Sequence, residues 1–146
     1  MYMMFYRRKP QRPVRLILAE DSGFNVTDFT RKLRNWRRPH EMWVAKDGQF
    51  LLDGLVKRLD LAPDQLPDLI VLDLHMPRVG GIEVLANLRQ HHLLTKIPVV
   101  VWTMSHAPFD TEQTEELGID GYLMKNGNAA TMIRALDRVL DSQQAA

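Results

Sequence analysis

Cysteine is absent from this chain of 146 residues. Its absence removes disulfides, thiolate catalysis and cysteine-ligated zinc or iron–sulfur centres, so oxygen or histidine nitrogen must hold any metal. A strong excess of either charge is also missing. The formal net charge is +1, which offers nucleic acid no global attraction. No stretch is long and apolar enough to span a bilayer. The opening MYMMFYRRKPQRP places apolar residues before basic ones, the reverse of a secretory signal. These absences predict a cytoplasmic protein with no membrane contact. Internal repeats and low-complexity tracts are lacking as well. The five histidines, His40, His75, His91, His92 and His106, show no HExxH or other metal-binding spacing.

What is present suits one domain with a single core, at 45% hydrophobic residues. Pro10 and Pro13 frame a short extended lead-in, so residues 1–13 read as an N-terminal tail and 14–146 as the domain. The basic cluster Arg7, Arg8, Lys9, Arg12 and Arg15 reads as solvated. Val14 to Ala19 is an apolar strand that ends in Glu20-Asp21-Ser22-Gly23. Val26, Phe29, Leu33 and Trp36 predict a helix from Phe24 to Trp36, stopped by Pro39. A short strand follows at Met42 to Ala45, and Lys46-Asp47-Gly48 turns the chain into a helix with Phe50, Leu51, Leu55 and Leu59 on one face. The segment from Asp60 to Pro67 is the longest predicted connection. Leu69 to Leu72 is a strand apolar on both faces and delivers Asp73. Ile82, Leu85, Leu88 and Leu93 mark the next helix after Gly80-Gly81, and Ile97 to Trp102 the next strand, which ends in Thr103. A weakly amphipathic helix at Thr111 to Leu117, a strand at Gly121 to Met124 ending in Lys125, and a helix from Ala129 to Leu140 complete the pattern. Trp36, Trp43 and Trp102 read as core.

Strands alternating with helices predict an α/β fold with a parallel sheet covered on both faces. In such a sheet the strand ends lie along one edge, so Glu20 and Asp21, Asp73, Thr103 and Lys125 can converge. Each alone has an ordinary explanation as a turn former, helix cap or solvated side chain. Together they suit phosphoryl transfer. Crowded carboxylates repel one another, a hard cation such as Mg²⁺ relieves that repulsion, and a carboxylate can act as nucleophile toward phosphorus. Lys125 adds a point charge and Thr103 a hydroxyl donor.

The motif DLHMPRVGGIEVL, with the acidic pair, Thr103 and Lys125, resembles the receiver domain of bacterial response regulators over Val14 to about Asp141. The resemblance implies a flavodoxin-like doubly wound (βα)5 sandwich with five parallel strands in the order 2-1-3-4-5. It implies that Asp73 is the phosphoacceptor, Lys125 the phosphoryl contact, Thr103 the switch hydroxyl and Tyr122 the switch aromatic. It also implies that Mg²⁺ or Mn²⁺ is held by Glu20, Asp21, Asp73 and the backbone carbonyl of His75. The donor is then a sensor histidine kinase. The resemblance further implies that the chain has no enzyme activity beyond self-phosphorylation and autodephosphorylation on Asp73. Its output is contact with a downstream protein rather than direct DNA binding. The stretches LPDLIVLDLHMPRVGGIEVL, IPVVVWTMSH and YLMKN are similar to small stand-alone regulators that partner phytochrome-type kinases, which implies such a kinase as donor and a homodimer.

Two departures bear on this resemblance. Asn126 stands where most receivers have proline, and there a cis peptide is disfavoured by about 3 kcal/mol, so the Lys125 loop is expected to differ. Met104 replaces the usual small residue after the switch hydroxyl, so slower exchange of the phosphoryl group with water is expected. Two other readings use the same residues. One is a receiver-like interaction module that works without phosphorylation. The other is a small aspartyl-phosphate phosphotransferase, in which His75 would occupy the place of a second acid.

Overall fold

The structure, a computed structural model, describes residues 12–104 and 107–144. Most of the expected tail, and His106, lie outside the described residues. The elements are β1 (Val14–Ala19), α1 (Gly23–Lys32), β2 (His40–Ala45), α2 (Gly48–Leu61), β3 (Leu69–Leu72), α3 (Gly81–Gln90), β4 (Val99–Thr103), α4 (Pro108–Leu117), β5 (Gly121–Met124) and α5 (Ala129–Gln144). All strand pairings are parallel, in the order β2-β1-β3-β4-β5. This is the expected doubly wound sheet.

Alternation along the strands builds the two layers, because successive side chains point to opposite faces. Ile17 and Ala19 of β1 join Ile70 and Leu72 of β3 beneath Leu51 and Leu55 of α2 and Val84, Leu85 and Leu88 of α3. Leu16 and Leu18 face the other way with Leu69, Val71, Val100 and Trp102, under Phe29 of α1, Leu33 just after it, and Met132, Leu136 and Leu140 of α5. Fully buried side chains of this size each contribute about 1.5–3 kcal/mol. The central strands β3 and β4 are therefore buried throughout and apolar up to Thr103, as strands covered on both faces must be.

Several boundaries differ from the sequence reading. Helix α1 ends at Lys32, not Trp36, where the Leu33 amide is shared between the carbonyls of Arg31 and Phe29. Trp36 stays buried in the following turn, its indole Nε1 donating to Asp137 Oδ1 at 2.9 Å. Phe50 is not core: it is 53% exposed and packs its ring against Trp43. Trp43 is itself half-buried, with the Arg58 guanidinium over its ring. Part of the predicted connection at Asp60–Pro67 is ordered as the end of α2 and a 3₁₀ turn at Pro63–Gln65. Leu93 falls beyond α3 and is exposed, and Leu94 takes the buried place. Strand β4 starts at Val99 because Pro98 has no N–H to donate, although its carbonyl accepts from Ile70 N.

Candidate functional site

The carboxyl edge of the sheet assembles the site by extending its ladder beyond the strand ends. Glu20 N donates to Ala45 O, Asp73 N to Ala19 O and Lys125 N to Thr103 O, each at 2.9–3.0 Å. These rungs fix Glu20 and Asp73 side by side on β1 and β3, and Lys125 beside the end of β4. The sequence can place them there because β1 and β3 pair in register, Ala19 opposite Leu72.

The side chains then meet. Lys125 Nζ lies 3.2 Å from Asp73 Oδ2 and 2.5 Å from Glu20 Oε2, and all three residues are buried. A cation above an aromatic face gains further attraction, and the Lys125 ammonium stands 5.1 Å from the Trp102 ring centroid. Asp73 Oδ1 accepts from His75 N at 3.3 Å. Glu20 Oε1 accepts from Ser22 N and from Asn25 Nδ2, both at 3.2 Å. Asn25 was not singled out from sequence. The only signal for it is its place in the first turn of α1, where Ser22 is the N-cap.

Electrostatics leave the site short of positive charge. Glu20, Asp21 and Asp73 each bring a carboxylate oxygen within 4.8 Å of the others, against the one ammonium of Lys125. Burial pushes the Glu20 carboxyl above its ordinary value and the Asp73 charge pushes the same way, while Lys125 and the Ser22 amide pull it down. Glu20 Oε2 is met by Lys125 Nζ in an ion pair, and no hydrogen bond from a neutral donor reaches it among the described residues. A buried oxygen left in this state, beside exposed Asp21 and buried Asp73, fits the oxygen-only coordination of a hard divalent cation.

The loop after Asp73 is held at several points. Gly81 N donates to Leu74 O at 2.9 Å, and a Cβ on Gly81 would run into the Asp73 carbonyl and lie 2.6 Å from Leu74 Cα. Arg78, at φ 65°, pairs with Asp47, the N-cap of α2. A Cβ on Gly48 would run into the carbonyl of Val79, so this loop and the start of α2 touch directly. His75 extends to α4, Nε2 lying 3.3 Å from Asp110 Oδ2, so its side chain is tied across the surface rather than simply solvated. Neither Arg78 nor Asp110 carried a sequence signal, because each pair joins segments far apart in the chain.

Of the other residues singled out, Thr103 closes β4 fully buried. Tyr122 is half-buried on β5, opposite Val101. Met104 is 61% exposed, turned largely to solvent. No peptide among the described residues is cis, so the Lys125–Asn126 bond is trans. His91 and His92 stack at the end of α3, and His91 Nδ1 accepts from the Leu93 and Leu94 amides, a turn contact rather than a metal site.

Residues 16–137 match the response regulator receiver domain family. Response regulator Rcp1 of Synechocystis sp. is 32% identical over 127 residues, covering 87% of this chain and 86% of the relative. Among solved structures, the phosphorylated cyanobacterial phytochrome response regulator RcpA superposes with a TM-score of 0.74 at 29% identity, covering 87% of this chain and 91% of its own. The Mn²⁺-bound form of Rcp1 gives a TM-score of 0.71 at 30% identity with the same coverages.

Proposed function

Since this chain belongs to the response regulator receiver domain family, we propose that it is a phosphorylation switch of a two-component pathway with Asp73 as its acceptor. The observation that carries this reading is a buried Asp73 carboxylate with Lys125 Nζ at 3.2 Å and the Glu20 and Asp21 carboxylates beside it. A carboxylate oxygen of Asp73 attacks the phosphorus of a phosphohistidine on a sensor kinase. The P–N bond breaks with its electron pair passing to the imidazole nitrogen, and an acyl phosphate forms on Asp73. Lys125 is placed to contact the transferred phosphoryl oxygens, as a point charge does well.

Glu20, Asp21, Asp73 and the carbonyl of His75 are the groups that would hold Mg²⁺ or Mn²⁺, which when bound neutralises charge on the carboxylates and the phosphoryl group. The relative Rcp1 has been solved in a Mn²⁺-bound form, which supports a divalent cation here. Thr103 and Tyr122 are the switch pair in this reading: the phosphoryl group draws the Thr103 hydroxyl inward and Tyr122 changes rotamer, which alters the surface of α4 and β5 for a downstream protein. A change of a few kcal/mol in the balance of two states is enough.

The likeness to a phytochrome response regulator extends the proposal to a phytochrome-type histidine kinase as donor. A single receiver unit over residues 14–146, a homodimer, a cytoplasmic location and an output that does not touch DNA belong to the same proposal. A phosphotransferase acting on other substrates would need a second acid near Asp73. The residue in that place, His75, directs its imidazole to Asp110.

Incubation with acetyl phosphate and Mg²⁺ followed by intact mass measurement tests the reading. One phosphoryl adduct, lost in Asp73→Asn, is the expected result. No adduct at any metal concentration would transfer the weight to a receiver-like module that works without phosphorylation.

A further inference from the structure

We propose that Lys32 is a positioning residue for Lys125: its ammonium holds the Lys125 main-chain carbonyl and thereby sets where the Lys125 side chain stands against Glu20 and Asp73. This inference rests on the reading of Lys125 as the phosphoryl contact. Lys32 is the last residue of α1 and pairs with Asp28 one turn back at 2.9 Å. Such a helix pair is ordinarily a solvated one of small worth. Here the lysine side chain is only 16% exposed, and its Nζ also donates to Lys125 O at 2.9 Å, across 93 positions of sequence.

The contact completes the restraint on Lys125. Its N–H is held by Thr103 O at 2.9 Å from β4, and its carbonyl is held by Lys32 from α1. Both lysine ammonium groups share the indole of Trp102, at 5.1 Å for Lys125 and 5.9 Å for Lys32. Asp28, which also pairs with Arg31, sets a negative charge beside Lys32 and eases the approach of the two lysines to the same ring. The next residue, Asn126, is exposed and has no ring to fix its backbone, so nothing within it stiffens the turn. The hydrogen bond from α1 supplies stiffness from outside. The Lys125 ammonium works only if placed within fractions of an ångström of the phosphoryl oxygens, so a residue that sets its main chain acts on the chemistry without touching it.

Lys32→Met keeps an unbranched apolar stem and removes the donor, whereas Lys32→Arg keeps one. Hydrogen exchange at the Lys125 amide should quicken in Lys32→Met, with α5 amides unchanged, and recover in Lys32→Arg. At saturating Mg²⁺, adduct formation from acetyl phosphate should slow about tenfold in Lys32→Met, a misplacement of about 1 Å being able to cost on the order of 100-fold. The arginine variant should regain most of that rate. Parental exchange at the Lys125 amide, a parental rate, or a failure of arginine to restore either would overturn the assignment. If Lys32→Met does not fold, Asp28→Asn loosens the same lysine and is compared in the same way. An unsubstituted chain that takes no adduct would remove the phosphoryl reading instead, and the exchange at Lys125 alone would then decide the role of Lys32.

Discussion

At the residue scale, the site opposes its own folding. Asp73 is 4% exposed and shares one ammonium with the still more deeply buried Glu20, whose carboxyl its charge pushes upward. Asparagine at this place keeps the shape and removes the repulsion, leaving Lys125 to Glu20. Metal-free Asp73→Asn should therefore be more stable than the parent by about 0.5–2 kcal/mol, the usual size of a single stabilising substitution. Its gain in thermal midpoint on adding Mn²⁺ should be smaller than the parent's. Equal or lower metal-free stability in Asp73→Asn would show that the carboxylates do not repel as their placement implies. Asp73, Glu20, Asp21, Thr103 and Lys125 were all candidates in the sequence, because each follows or closes a run read as a strand. Asn25 and Arg78 were not, and Asp47 was read only as part of the turn into α2, because their contacts cross turns whose shape no local pattern encodes.

At the scale of elements, the loop from β3 to α3 decides whether Asp73 and the His75 carbonyl point at the site. It is tightly closed at Gly81, the first residue of α3, where a Cβ would meet the Asp73 carbonyl. Backbone blocks that contact, and backbone cannot swing aside as a flexible side chain does. Gly81→Ala should lose about 1–3 kcal/mol of stability, as overpacking does. It should also weaken Mn²⁺ binding, read as a change in tryptophan fluorescence. A fully stable alanine variant with parental metal affinity would contradict the close packing described. Helix α4 is the contrasting element. Thr114 is its buried residue, whereas α5 buries Met132, Leu136, Val139 and Leu140. The poor periodicity of α4 in the sequence has this physical cause: it has little apolar face to bury against the sheet. Helix α1 ended earlier than its pattern suggested for a related reason, since Trp36 is buried from a turn and so continues the spacing of a helix that has already stopped.

At the scale of the whole molecule, the fold was legible because both layers follow from period-two strands and helical stripes, and a parallel order with short connections leaves few alternatives. The contacts that tie the far edge of the sheet were less legible. Arg12 reaches Asp68 with two hydrogen bonds of 2.8 Å, and Arg15 N adds a third of 2.8 Å to the same carboxylate, joining the entrances of β1 and β3. Burial raises the Asp68 carboxyl, but Arg12 and the Arg15 amide outweigh it and hold the group below its ordinary value. A carboxyl depressed in the folded state stabilises above its unfolded value, about 3.9, and that contribution is lost as pH falls through the lower folded value. The stability difference between parent and Asp68→Asn should therefore be largest near about pH 6 and shrink below about pH 4 in urea unfolding. A difference independent of pH would remove the ion pair as its cause.

The central claim concerns one bond, and the most direct measurement is the chemical location of the phosphoryl group. Borohydride reduces an aspartyl phosphate to homoserine, so treating the acetyl phosphate and Mg²⁺ product with borohydride, followed by peptide mapping, marks the acceptor. Homoserine is expected at position 73 and nowhere else, with none formed when Mg²⁺ is chelated. Homoserine at another aspartate, or label at position 73 that forms equally well without the cation, would contradict the claim.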